Sequence, residues 1–162
     1  MVLKLDPFQI QAIVAHAEST YPEECCGLLL GIADSTSNTV VEVQPVENNW
    51  SAEPAESFDK TRRYEIAPQS MLAAMREGRD RNLTIVGIYH SHPDNPAVPS
   101  ECDRQLAWQH YSYVIMSVEQ GVAIDWQSWS LDDTHQFQPE EIWMPPIAGE
   151  RMSKGNGRFI QR

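Results

Sequence analysis

The 162-residue chain is short of positive charge, of cysteine and of long apolar runs, and each shortage removes a class of function. Lysine and arginine number 12 against 23 acidic residues, giving a net charge of −11 and an isoelectric point near 4.7. A surface of that sign does not neutralise phosphates, which weighs against sequence-independent binding to nucleic acid. It weighs equally against electrostatic docking on an anionic membrane. The longest apolar stretch, residues 25–33, has nine residues and two glycines, well short of the roughly 18 that a spanning helix needs. The first six residues lack the basic start and apolar core of a signal peptide. Three cysteines, two of them adjacent (Cys25 and Cys26), make neither a disulfide framework nor a Cys-x-x-Cys site. Reduced thiols and a cytoplasmic location are therefore expected.

What remains is an ordinary globular composition, 41% hydrophobic and 22% charged. A chain of this length forms about one domain and buries enough surface to fold without a disulfide or a metal. Asp6, Pro7 and Gln9 make a helix start of capping-box type, and Ile10, Ile13, Val14 and Ala17 give that helix one apolar face. It ends near Thr20, ahead of Pro22. Residues 25–32 read as a buried strand, and residues 39–46 as its hairpin partner across a polar turn. Residues 47–63 form a long polar loop, and loops of that kind in compact domains are usually functional or disordered. A short strand is expected at residues 64–66. A helix from Pro68 to about Arg79 follows, with Met71, Leu72 and Met75 inward. Residues 83–92 read as a central strand. Ser100 is placed to cap a third helix running to about Trp108, and residues 113–118 and 122–131 as a strand pair. One further strand is expected near residues 135–143. The last fifteen residues carry four bases and one acid, so residues 1–147 are read as the domain and 148–162 as a flexible basic tail. Helices interleaved with strands indicate an α/β or α+β layered domain, a central mixed sheet flanked by helices.

The chemistry concentrates in residues 90–103. His90 and His92 lie two apart at the end of an apolar strand, so both imidazoles point to one face. Pro93 ends the strand. Ser100 and Asp103, three apart, share the first turn of the next helix. Two imidazoles and a carboxylate leave a fourth tetrahedral position for water, the donor set of a catalytic zinc site. Taken singly, each residue has a plainer reading: two strand histidines are more often unliganded, Ser100 is an N-cap, and Asp103 is a first-turn acid favoured by the helix dipole.

The run His90-x-His92-Pro93, six residues, then Ser100-x-x-Asp103 resembles the signature of the JAMM/MPN+ zinc metalloproteases. So does the earlier run Glu23-Glu24-Cys25-Cys26-Gly27-Leu28-Leu29-Leu30-Gly31. The resemblance covers roughly residues 3–118 and is nearest to the compact prokaryotic members. It implies a cytidine-deaminase-like α/β fold, with Zn2+ held by His90, His92 and Asp103. It assigns Glu24 as general base and then acid, with Glu23 as the alternative one register away, and Ser100 as a donor to the tetrahedral oxyanion. It implies hydrolysis of an amide or isopeptide bond at the C-terminal tail of a ubiquitin-like or sulfur-carrier protein. Family members without the ligands are noncatalytic interaction scaffolds, which is the alternative.

Competing hydrolase signatures are missing: there is no His-Glu-x-x-His helix and no deaminase Pro-Cys-x-x-Cys. Cys25 and Cys26 lie in an apolar strand, where an inert thiol is the default. Cys102 sits between Ser100 and Asp103, where its oxidation would disturb the site. The 47–63 loop is expected to border a substrate groove, with Trp50 and Phe58 either touching substrate or packing. Arg62 and Arg63 either face an acidic partner or are simply solvated. Trp126 and Trp129, three apart on a strand, face opposite sides. One of them is expected at the surface, where an apolar patch would mark a homodimer interface.

Overall fold

The structure is a computed structural model that describes residues 1–52 and 58–146. A three-residue strand, β1 (Val2–Lys4), precedes helix α1 (Pro7–Thr20). The Asp6 carboxylate accepts the Gln9 N–H at 2.8 Å, and the Gln9 side chain accepts the Asp6 N–H at 2.8 Å, closing the capping box. Strands β2 (Cys26–Ala33) and β3 (Ser37–Val46) form a hairpin whose turn is held by Asp34, which accepts the N–H groups of Thr36 and Ser37. Helix α2 (Pro68–Asp80), strand β4 (Thr84–Pro93) and the short helix α3 (Glu101–Leu106) follow. Strands β5 (Ser112–Glu119) and β6 (Val122–Leu131) are joined through Gln120 and Gly121. Both residues have positive φ, 48° and 84°, as a tight right-twisted hairpin requires. Two short strands, β7 (Phe137–Pro139) and β8 (Glu141–Trp143), complete the described chain.

The eight strands form one mixed sheet in the order β7-β6-β5-β4-β2-β3-β1-β8. β7 and β8 stand at opposite ends of that order, yet Glu140 alone separates them in the chain. The sheet therefore curls until its two ends meet. α1 packs on one face, where Ile10, Ile13 and Ala17 join Leu29, Val86, Val114, Met116 and Trp126. α2 covers the other, over Leu28, Leu30, Ile85 and Ile88. Ile85 and Ile88 are three apart but share a face because the β2–β4 register shifts by one residue opposite Leu29 and Leu30. This bulge re-phases β4 and sets Ile88, His90 and His92 on the α2 side.

Five expectations are corrected. Residues 64–66 are not a strand. The buried Asn48 side chain replaces most of the ladder there, accepting the N–H groups of Trp50 (3.0 Å) and Glu65 (3.2 Å). In α2 the inward residues are Met71, Ala74 and Gly78, whereas Leu72 and Met75 are each 47% exposed. Gly78 is needed because a Cβ there would lie 2.8 Å from the Leu83 carbonyl oxygen, so the end of the helix sits too close to the chain entering β4 for any side chain at that position. Residues 135–143 hold two strands on opposite sheet edges rather than one. Trp126 is buried as one face of β6 requires, but Trp129 on the other face is half-buried and donates to the Ala97 carbonyl at 3.0 Å. Neither member of that pair is therefore exposed, and the exposed tryptophans are Trp108 and Trp143. α3 also stops at Leu106, short of Trp108, because Ala107 turns extended. The expected tail, residues 148–162, lies outside the described residues.

Candidate metal centre

β4 brings His90 and His92 to the C-terminal end of the sheet's centre, between β2 and β5. Their Nε2 atoms are 3.0 Å apart, on rings tilted by 60°. α3 supplies Asp103, whose Oδ1 lies 3.4 Å from His90 Nε2 and whose Oδ2 lies 3.4 Å from His92 Nε2. His90 is fully buried, and His92 and Asp103 nearly so. Among the described residues these three form a group of His, Cys, Asp or Glu side chains able to share one ion.

The donors fit a metal. His92 Nδ1 lies 2.8 Å from the Pro96 carbonyl, so it carries the hydrogen and leaves Nε2 as a bare acceptor. Two imidazole nitrogens facing each other at 3.0 Å across a buried carboxylate repel unless a cation, proton or metal, lies among them. Two ligand atoms about 2.0–2.1 Å from one tetrahedral zinc stand roughly 3.3 Å apart, close to the 3.0 Å between the two imidazole nitrogens, and each Asp103 oxygen lies 3.4 Å from one of them. His90 Nδ1, buried, has no hydrogen-bond partner among the described residues. Its ring is held instead by the face of Tyr64, stacked at 4.5 Å and 24°.

The electrostatics agree with a cation-binding cluster. Burial alone would raise the Asp103 carboxyl, but the His90 charge, the hydrogen bond from the His90 imidazole and the Ser100 N–H outweigh it and hold it well below the usual carboxylate range. Burial alone would lower His90, yet Asp103 and Glu24 prevail and raise it above its ordinary 6.5. Glu24 is the opposite case, a carboxyl that burial pushes up against the lowering effect of both histidines.

Each flanking residue has a structural cause for its place. Glu24 is 6% exposed and faces the cleft, whereas Glu23 is exposed to solvent. Just after Glu24, the chain is stitched to β4 by the Cys25 N–H, donating to Ser91 Oγ at 2.8 Å, and by the Ser91 N–H, donating to the Cys25 carbonyl at 3.1 Å. Ser100 caps α3: its Oγ accepts the Asp103 N–H at 3.1 Å, and its own N–H donates to Asp103 Oδ2 at 2.7 Å. The cap thus orients Asp103 toward the histidines while the Ser100 hydroxyl keeps its proton to donate. A cleft of about 190 Å³ opens beside the group and is lined by Glu24, His92, Ser100, Thr61, Arg62 and Arg63, among others. The 47–63 loop therefore does border the site, through its last residues. Phe58 lies beneath both guanidinium groups, while residues 53–57 are outside the described ones. Cys102, on α3, lines a smaller cavity with Arg62, Arg63 and Asp103.

Sequence patterns did not reveal Tyr64, Asn48 or the Pro96 carbonyl. Tyr64 belongs to no spacing pattern, Asn48 reads as a loop residue, and a backbone carbonyl has no side-chain signal.

The profile of prokaryotic homologs of the JAB domain matches residues 9–132. The chain belongs to this JAB-domain family. Among relatives, it is 38% identical over 111 residues to a desampylase of Haloferax volcanii, spanning 65% of this chain and 73% of that one. It is 31% identical over 107 residues to the CysO-cysteine peptidase of Mycobacterium tuberculosis, spanning 66% of each. A solution structure of a Desulfitobacterium hafniense protein superposes with a TM-score of 0.73 at 28% identity, covering 91% of this chain and 94% of that one. A structure described as JAMM, a metalloprotease-like zinc site in the proteasome and signalosome, gives 0.52 at 16% identity, covering 90% and 100%. The architecture is accordingly the JAMM/MPN fold, as the resemblance to the JAMM/MPN+ signature implied.

Proposed function

We propose that the chain is a zinc-dependent hydrolase that cleaves an amide bond at the C-terminal tail of a ubiquitin-like or sulfur-carrier protein. The observation that carries this reading is the convergence of His90 Nε2, His92 Nε2 and the Asp103 carboxylate within 4.8 Å of one another, beside a cleft onto which Glu24 and Ser100 also open. The named relatives, a desampylase and a CysO-cysteine peptidase, support the substrate class.

In this reading His90, His92 and Asp103 hold the ion. Zinc bound there supplies Lewis-acid chemistry, polarising a carbonyl and lowering the pKa of a water to about 7. Glu24 is the proton carrier: a buried carboxylate whose affinity for a proton is raised takes one from the attacking water and returns it to the leaving nitrogen. Ser100 donates its hydroxyl proton to the oxygen of the tetrahedral intermediate, a contribution worth about 10²–10³ in rate when such a donor is lost. The Pro96 carbonyl and the Tyr64 ring hold the two imidazoles in register.

Cys25 and Cys26 take no part. Burial pushes their thiols up to about 11 and about 12, which leaves them inert. Such thiols suit a reducing compartment, and we place the chain in the cytoplasm, with residues 1–147 carrying the activity. Among the described residues no helix is long and apolar enough to cross a membrane.

The test is zinc per chain in protein purified without added metal, followed by release of product from a sulfur-carrier protein extended by one residue at its C-terminus. Near one zinc is expected in the native chain and near none in His92→Ala. Glu24→Gln is expected to keep zinc and lose hydrolysis by at least about 10²-fold. A Glu24→Gln protein as active as the native chain would refute the assignment, and a native chain that takes up no zinc after reconstitution would leave only the interaction scaffold.

A further inference from the structure

The cleft holds a paired positive charge to which the hydrolytic steps assign no role beyond the lowering effect of Arg63 on Glu24. Arg62 and Arg63 both line it, together with Glu24, His92 and Ser100, in a chain whose net charge is −11. The described arginines whose ion pairs are within 4 Å are Arg81, with Glu42 and Glu77, and Arg104, with Glu101. Arg62 and Arg63 form none among the described residues. Their guanidinium carbons instead lie 5.2 Å and 4.2 Å from the centre of the Phe58 ring. A ring face steadies a guanidinium while leaving most of its N–H groups for a ligand.

The pair is also tied to Glu24. The Glu24 N–H donates to the Lys60 carbonyl at 2.7 Å. The Asn48 side-chain amide donates to the Glu24 carbonyl at 3.1 Å and to the Arg63 carbonyl at 2.9 Å. One buried amide thus clamps the backbone of the proposed proton carrier to that of the arginine. Glu24 has to reach the leaving nitrogen, so the wall that flanks Glu24 is the leaving-group side of the cleft. On that side of a scissile amide, the anion nearest the nitrogen is the α-carboxylate of a leaving amino acid, one carbon away from it.

We infer that Arg62 and Arg63 form a subsite for the α-carboxylate of a single C-terminal amino acid, so that the chain acts as an exopeptidase on its substrate's tail. This deepens the hydrolase reading and rests on it. The reaction consumes one water: the C–N bond breaks, hydroxyl joins the acyl carbon and a proton joins the nitrogen, with no further reactant. The subsite disfavours an isopeptide-linked lysine within a folded protein, which presents no free carboxylate at that distance. Charge-assisted, bidentate hydrogen bonds of this kind discriminate on the order of ten- to a hundredfold.

The test separates binding from cleavage. Two fluorescein-labelled decapeptides ending Gly-Gly-Ala, one with a free carboxylate and one with a carboxamide, are titrated into zinc-loaded Glu24→Gln protein. The acid is expected to bind at least about tenfold more tightly, and the ratio to fall to near one when Arg62→Gln and Arg63→Gln are added. Should that variant fail to fold, the Arg62→Lys/Arg63→Lys pair keeps the charge without the planar fork, and an intermediate ratio is expected. Equal binding of the two peptides overturns the inference, as does a preference that survives loss of both arginines. So does an arginine-dependent gain from an acidic side chain placed upstream in the carboxamide peptide. Preferential, arginine-dependent binding without cleavage of either peptide by the zinc-loaded native chain would sustain the subsite and sink the hydrolase reading.

Discussion

Tyr64 shows what a single residue contributes that no motif announces. His92 has the Pro96 carbonyl at 2.8 Å to fix its ring, but buried His90 Nδ1 has no partner among the described residues and depends on the stacked Tyr64 face. A metal ligand with an unfixed ring loses affinity. Tyr64→Ala is therefore expected to lower zinc affinity on the order of tenfold or more, while Tyr64→Phe, which keeps the ring, is expected to stay near the native value. Competition with a colorimetric chelator measures both, and equal losses in the two variants would mean that the hydroxyl rather than the stacking matters. The five positions the sequence pattern singles out, Glu24, His90, His92, Ser100 and Asp103, do meet in space, because strand alternation and first-turn helix geometry are short-range rules. The choice of Glu24 over Glu23 likewise follows from counting back from Gly27. What holds those side chains in place comes from residues 24 and 26 positions away in the chain (Asn48 for Glu24, Tyr64 for His90), and spacing within a motif carries no information about them.

Among the elements, α1 and the β2–β3 and β5–β6 hairpins were legible because cap, period and turn all agree locally. α2 was legible in extent but not in rotation. Its larger apolar residues, Leu72 and Met75, point outward, and its inward line is Met71, Ala74 and Gly78, since Gly78 approaches the Leu83 carbonyl too closely for a Cβ. Apolar size misleads when backbone proximity selects small residues. Leu72→Gln and Met75→Gln are expected to change stability by no more than about 0.5 kcal/mol each, and Ala74→Leu to cost about 1–3 kcal/mol by overpacking. Urea titrations of the three variants check the face, and the reverse ranking would put Leu72 and Met75 in the core. The strands β1, β7 and β8 were illegible, or merged, because three residues show no periodicity and their pairing is set across the whole sheet.

At the scale of the molecule the notable feature is the meeting of the two sheet ends. Glu140 sits between β7 and β8, 7% exposed. Its N–H donates to the Ser128 carbonyl at 2.8 Å, and its carboxylate accepts the hydroxyls of Ser112 at 3.0 Å and Ser128 at 2.7 Å. Asn38, also buried, donates to Ser112 Oγ at 2.9 Å and to the His110 carbonyl at 3.0 Å. Strands from both halves of the sheet thus converge on one acid. Burial raises the Glu140 carboxyl above its ordinary 4.5, outweighing the lowering effect of the two serines. The folded chain therefore binds this proton more tightly than the unfolded chain does. The resulting stability is fully present below pH 4.5 and is lost as pH rises through the raised value, beyond which the curve is flat again. Glu140→Gln carries no titrating group, and either serine can turn its hydroxyl to meet the amide. The difference in melting temperature between Glu140→Gln and the native chain is expected to widen in favour of the variant as pH rises from 4.5 to 7. Glu140→Ala, which strands two buried hydroxyls, is expected to be less stable than the native chain by about 1–3 kcal/mol at every pH in that range. A difference for Glu140→Gln that stays constant with pH would show that the acid is ionised in both states, and that the closure is held by the hydrogen bonds of a carboxylate at its ordinary pKa.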